Sequence, residues 1–229
     1  MLQQGKKPFV LKFGNMLFLA DIYSKKQIIA DGVVPEDFVF SSSGYLAQVE
    51  GIKPPHGIYS HISGIDLVQA KDDSWFILED NLRIPSGASY PLIARGLERK
   101  CSPQTFINNH VLDNRNYGTL LRDVMDDMNC GGINVVFTPG RYNAAYFEHA
   151  YLAEQTGSVL CQPEDLFVEN NVVYCKTLNG KEKVGAIYRF FRIFPQSPRY
   201  HGHILYLLRK YLKLRNNNCL NLMQGMTVS

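Results

Sequence analysis

The densest run of chemistry-bearing side chains lies in two neighbouring strand-like stretches, Gly64-Ile65-Asp66-Leu67-Val68 and Phe76-Ile77-Leu78-Glu79-Asp80-Asn81. Side chains alternate along a strand, so Glu79 and Asn81 share one face while Asp80 points to the other. The polar segment Lys71-Asp72-Asp73-Ser74 separates the stretches as a hairpin turn would. A turn centred on Asp72-Asp73 places Asp66 opposite Glu79, on the face that carries Asn81. Like charges facing each other destabilise a sheet unless a cation sits between them. Three hard oxygen donors suit Mg2+, which favours octahedral oxygen ligation shared with water and phosphates. Loop capping, or pairing of the two carboxylates with Arg83 and Arg95, explains the pattern equally well.

Just beyond, Arg83 can take a phosphate or carboxylate through two parallel hydrogen bonds. The turn Pro85-Ser86-Gly87 offers backbone N–H groups and hydroxyls to an anion, or is an ordinary polar turn. Gly140-Arg141-Tyr142-Asn143 falls between a strand end and a helix start, where an anionic substrate group is favoured, and a plain βα turn is the alternative. The histidines lack metal-binding spacing. Gly180-Lys181 lacks the rest of a phosphate-binding Walker loop. Five widely spaced cysteines without a Cys-x-x-Cys pair read as buried reduced thiols.

The elements that must position these residues follow from periodicity. Apolar residues recur at helical spacing over 16–30, 117–128 and 142–155, the last through Tyr146, Phe147, Ala150, Tyr151 and Ala153. Residues 133–137 read as a short buried strand and 158–161 as the next, which with the helix between them makes a βαβ unit, a parallel pair and an α/β fold. Glu169-Asn170-Asn171 and Asn179-Gly180 punctuate two further hairpins.

At 229 residues, with 45% hydrophobic and 20% charged residues, the chain can bury a core, which excludes global disorder. No apolar stretch approaches the roughly 18 to 20 residues of a membrane span, and no secretory leader is visible, so a cytoplasmic address and no membrane partner are expected. From Lys183 onward there is no carboxylate, and that segment carries +8 of a net charge of +3. Its stretch 203–215 would form an amphipathic basic helix if helical. A nucleic-acid partner would rest on that tail alone and is set aside.

The string Leu78-Glu79-Asp80-Asn81-Leu82-Arg83-Ile84-Pro85-Ser86-Gly87-Ala88-Ser89-Tyr90, preceded by His61-Ile62-Ser63-Gly64-Ile65-Asp66-Leu67-Val68, resembles the signature of circularly permuted ATP-grasp proteins of the glutathionylspermidine-synthase-like group. Thr138-Pro139-Gly140-Arg141-Tyr142-Asn143-Ala144-Ala145-Tyr146-Phe147-Glu148-His149 and Leu17-Phe18-Leu19-Ala20-Asp21-Ile22-Tyr23 resemble it too. The resemblance covers about 16–189. It implies an ATP- and Mg2+-dependent ligase that joins a small-molecule or peptide carboxylate to an amine through an acyl phosphate, releasing ADP. It also implies Asp66, Glu79 and Asn81 as metal ligands, and Arg83, Ser86 and Ser89 as catalytic residues where the acceptor carboxylate or the transferred phosphoryl group lies. Arg141, Tyr142 and Asn143 are read as a substrate-recognition loop.

The expected organisation is an ATP-grasp-like part with the metal-carboxylate strands over 1–110, a βαβ and hairpin part over 111–189, and a divergent basic tail over 190–229. In the family pattern a C-terminal half carries the lysines that clamp ATP. Here the resemblance stops at the tail, which reads as a truncated, incomplete ATP-grasp fold, inactive by itself. A non-catalytic anion-binding or partner-interaction module is the alternative.

Overall fold

The computed structural model describes residues 17–42, 45, 47, 50–51, 53–82, 84–170, 172–189 and 222–223. They divide into one unit reaching Pro85 and another from Ser86 to Met223. The helical residues just before 110, grouped by sequence with the metal-carboxylate strands, therefore fold within the second unit.

In the first unit the single helix expected over 16–30 is broken into α1, residues 17–22, and α2, Gln27–Ala30. The break has a local cause. The Asp21 carboxylate accepts the N–H groups of Gln27 (3.1 Å) and Ile28 (2.9 Å), capping a new helix start. Lys26 takes a left-handed conformation at φ 56° between them, and its ammonium is held 3.1 Å from Glu50 and 4.9 Å from the Phe40 ring centroid. A short helix α3, Glu36–Phe40, follows. Leu19, Ile22, Tyr23 and Val39 form the buried interior here, with Tyr23 stacked on Tyr45 and Tyr59.

The unit ends in an antiparallel ribbon of β1, Gly64–Gln69, and β2, Trp75–Asn81. Its turn is tighter than expected. Ala70 N–H donates to the Ser74 carbonyl at 2.8 Å, Asp73 is left-handed at φ 62°, and Asp72 accepts from both the N–H and hydroxyl of Ser74. Leu67, Val68, Trp75, Phe76, Ile77 and Leu78 are exposed along this ribbon.

The second unit begins with helices α4, Ser89–Cys101, α5, Pro103–Asn108, and α6, Tyr117–Asp127. Strand β3, Ile133–Phe137, helix α7, Tyr146–Thr156, and strand β4, Val159–Cys161, then form the expected βαβ unit, with β3 and β4 parallel. Helix α7 starts four residues later than its periodicity implies, because Asn143 turns the chain by accepting the Ala145 N–H at 2.9 Å. Strands β5, Leu166–Glu169, β6, Val172–Thr177, and β7, Gly180–Arg189, complete a mixed sheet in the order β4-β3-β7-β6-β5. The fold is mixed α/β, as expected. Strand β8, Leu222–Met223, pairs in parallel with Ile187 and Tyr188, so these two residues of the basic tail do engage the body. The stretch 203–215 lies outside the described residues, and no helix among them is long and apolar enough to cross a membrane.

The sheet curls around its own core. Strands β4 and β6 are three strand spacings apart, roughly 14 Å if flat, yet the Cα atoms of Cys161 and Cys175 lie 7.3 Å apart and their buried sulfurs form a disulfide. Reduced thiols were the expectation for this pair. The spacing of cysteines along the chain carries no information about curvature, which is what brings the two strands face to face.

Gly131 and Gly132 end the α6 connection with φ of 80° and 151°. A Cβ on Gly132 would collide with the Lys183 backbone carbonyl and approach the Gly185 nitrogen to 2.9 Å, whereas on Gly131 it would meet the flexible end of Lys183 at 3.7 Å. Gly132→Ala is therefore expected to lower stability by about 3 kcal/mol, roughly 10 °C in Tm, and Gly131→Ala by about 1 kcal/mol. Thermal melts of both variants test this, and equal losses would contradict it.

Candidate functional site

Two groups of polar residues stand out, one in each unit. On the ribbon, Asp66 pairs with Glu79, Gly64 with Asn81, and Ile65 with Asp80, so Asp66, Glu79 and Asn81 occupy one face. This pairing is the one the sequence predicts, but its cause differs. Near the turn Leu67 pairs with Ile77 and Gln69 with Trp75, one residue out of step, and a bulge between Asp66 and Leu67, absorbing Leu78, restores the register at the carboxylates. Bulges of this kind re-aim neighbouring side chains.

All three side chains are exposed. The Asn81 side-chain oxygen accepts the Ile84 N–H at 3.2 Å, which leaves it a second lone pair. Among the described residues neither Asp66 nor Glu79 forms an ion pair. Arg95, considered above as their partner, donates to the Leu112 carbonyl and covers the Phe106 ring. Arg83 lies outside the described residues. No group of three or more His, Cys, Asp and Glu side chains that could hold a metal occurs among those described. What the face does offer is two carboxylates and an amide oxygen side by side, oxygen donors of the type that hard cations take.

In the second unit the turn before α4 is organised by a carboxylate that sequence reasoning passed over. Glu148 is 1% exposed. Its two oxygens accept the Gly87 N–H at 2.7 and 2.8 Å, and one of them also accepts the Ser89 N–H at 2.9 Å and the Ser89 hydroxyl at 3.0 Å. It lies in the first turn of α7 and is received at the first turn of α4, so two positive helix ends meet one negative charge. Its field also reaches Tyr117, whose hydroxyl is pushed up first by burial and then by the Glu148 charge. Ser89 is fully buried, whereas Ser86 is exposed.

Next in sequence, His149 is buried with Nδ1 2.7 Å from Thr138 Oγ1, and that same Oγ1 accepts the Gly140 N–H at 3.2 Å. Burial brings the His149 pKa down to about 4, against the weaker opposing pull of Glu148. Thr138 and Gly140 thereby tie the loop after β3 to α7. Arg141 and Tyr142 stand exposed on that loop, the guanidinium 5.1 Å from the Tyr142 ring centroid and donating to its hydroxyl at 3.1 Å, while Asn143 is half-buried in the turn described above.

Glu148 was missed because the helix was assigned the wrong buried face. The aromatic Phe147, counted as core, is 54% exposed, and the buried residues include Glu148, Leu152 and Thr156. Their i, i+4, i+8 spacing was a visible signal, obscured because two of the three residues are polar.

The chain matches the family model for circularly permuted ATP-grasp type 2 over residues 15–193, and it belongs to that family. An uncharacterized protein of Synechocystis sp. is 40% identical over 176 residues, which cover 75% of this chain and 37% of that protein. An uncharacterized protein of Mycobacterium tuberculosis is likewise 40% identical over 176 residues, covering 75% and 32%. A protein of Frankia casuarinae, provisionally named a glutamate–cysteine ligase, is 35% identical over 178 residues, covering 75% and 21%. The chain spans well under half the length of these relatives.

His149 gives this site a pH signature. Its folded-state pKa of about 4 lies below the ordinary 6.5, so between these values the unfolded chain binds the extra proton. Its contribution to stability is complete above pH 6.5 and is lost as pH falls toward 4, by up to about 3 kcal/mol. Denaturant midpoints measured from pH 7.5 to 4 should fall accordingly, and His149→Asn should flatten that slope. An unchanged slope in the variant would assign the effect to other groups.

Proposed function

We propose that this chain carries the magnesium-holding part of an ATP-dependent carboxylate–amine ligase, in which a carboxylate is phosphorylated to an acyl phosphate and an amine then displaces the phosphate, leaving an amide and ADP. The observation that carries the reading is the opposed pair Asp66 and Glu79, with Asn81 on the same face and no described cationic side chain between them. Two exposed carboxylates facing each other across a ribbon repel until a cation is supplied.

Asp66, Glu79 and Asn81 would hold Mg2+, whose chemistry is to neutralise the transferring phosphoryl group. Ser86, exposed at the turn before α4, would meet the phosphoryl oxygens; Arg83 is proposed as an anion-binding residue on the resemblance of the 78–90 string alone. Ser89, buried against Glu148, would shape the turn instead of touching substrate. Arg141, Tyr142 and Asn143 would receive the anionic end of the carboxylate or amine substrate. The name of the Frankia relative and the likeness of the 78–90 string to glutathionylspermidine-synthase-like proteins both favour amide formation between small-molecule or peptide substrates. ATP clamping is assigned to sequence of the kind the longer relatives possess beyond the matched region.

The metal reading is tested with Mn2+ in place of Mg2+, by paramagnetic resonance or calorimetry on the 229-residue chain. One ion should bind per chain, and Asp66→Asn and Glu79→Gln should each weaken it at least about tenfold while the circular dichroism spectrum is unchanged. Equal affinity in wild type and both variants would sink the ligase reading and leave the anion-binding or partner-interaction module.

A further inference from the structure

A carboxylate buried without a cation is costly, and Glu148 is the only carboxylate among the described residues that is fully buried. A leucine or methionine would fill the same space more cheaply. What the carboxylate does that they cannot is accept three donors of the 87–89 turn at once: Gly87 N–H, shared by both oxygens, Ser89 N–H and Ser89 Oγ–H. Charge-assisted bonds of this kind are the strong ones. Gly87 sits at φ 101°, a conformation that residues with a Cβ rarely adopt and that glycine reaches freely, so the sequence permits this turn without fixing it, and the carboxylate fixes it.

We infer that Glu148 is a positioning residue for Ser86: it takes the Gly87 and Ser89 donors for itself, withdraws the Ser89 hydroxyl into the interior, and leaves Ser86 as the exposed hydroxyl that meets a phosphoryl group. This rests on the reading of the 86–89 turn given under Proposed function. Glu148→Gln removes the charge and directs an amide NH2 at the Gly87 N–H, which loosens the turn, while Glu148→Asp keeps the charge one methylene short.

The probe is acetyl phosphate with Mg2+, titrated into the 15N-labelled chain, together with amide hydrogen exchange. In the wild type, acetyl phosphate should shift the Ser86 resonance, and the Gly87 and Ser89 amides should exchange slowly. Glu148→Gln should speed exchange at both amides by about 100-fold and weaken acetyl phosphate at least about tenfold. Glu148→Asp should retain most of the affinity. In Glu148→Ala, added formate should restore protection of Gly87 and Ser89, since it replaces the missing carboxylate. Ser86→Ala should lose acetyl phosphate affinity with that protection intact.

Wild-type affinity in a folded Glu148→Gln would overturn the inference. So would failure of both aspartate and formate to restore a folded variant, which would make Glu148 a packing residue. No shift at Ser86 in the wild type would overturn the phosphoryl reading of the turn and this inference with it, whereas the Mn2+ titration judges the metal face separately.

Discussion

Everything at the start of the second unit depends on where one negative charge is put. Glu148 accepts from residues 61 and 59 positions earlier in the chain, so its bonds close a long loop as well as satisfy a buried anion. Closing that loop costs entropy, and the bonds from three donors at the start of α4 to the Glu148 carboxylate offset it. The arrangement is all or nothing. Removing either side strands the other, a buried carboxylate without donors or a helix start without an acceptor, and each is more expensive than a neutral gap. Thr138, Gly140 and His149 add a second tie one residue along, so the first turn of α7 is fixed both to α4 and to the end of β3.

Sequence legibility followed the range of the interaction. Hairpins announced by local turn chemistry were readable: Asn170 at φ 47° between β5 and β6, Gly180 at φ 104° at the start of β7, and Asp72 and Asp73 before β2. The βαβ unit was readable because the period changes from two to 3.6 and back. What failed needed a partner. The break at Lys26 depends on Asp21, which caps the N–H groups of Gln27 and Ile28, and on Glu50 and Phe40, which hold the Lys26 ammonium. The disulfide depends on sheet curvature. Glu148 depends on donors some sixty residues away, and single-sequence periodicity treats a glutamate on a helix as a solvent-facing residue.

On the carboxylate face of the ribbon, the agreement between sequence and structure hides two errors. Opposing Asp66 to Glu79 was right, yet the symmetric turn used to derive it is not the one that forms. The tight turn displaces the pairing by one residue and the Leu78 bulge displaces it back. Two deviations cancel, which the alternation of side chains alone could not reveal. The opposition of the two carboxylates is thus set by an irregularity, and with this tight turn a strand of ideal pairing would carry Glu79 to the opposite face.

The ribbon that presents those carboxylates has exposed leucine, isoleucine, valine, phenylalanine and tryptophan side chains along it. A strand pair of this composition is inherently sticky toward copies of itself. Asp66, Glu79 and Asp80 interrupt the apolar surface as gatekeepers, since two such ribbons approaching each other must bring like charges together. Protonation or a divalent ion would cancel that repulsion. The oxygens suited to Mg2+ therefore also govern colloidal behaviour, and whatever neutralises them makes the ribbon more prone to self-association.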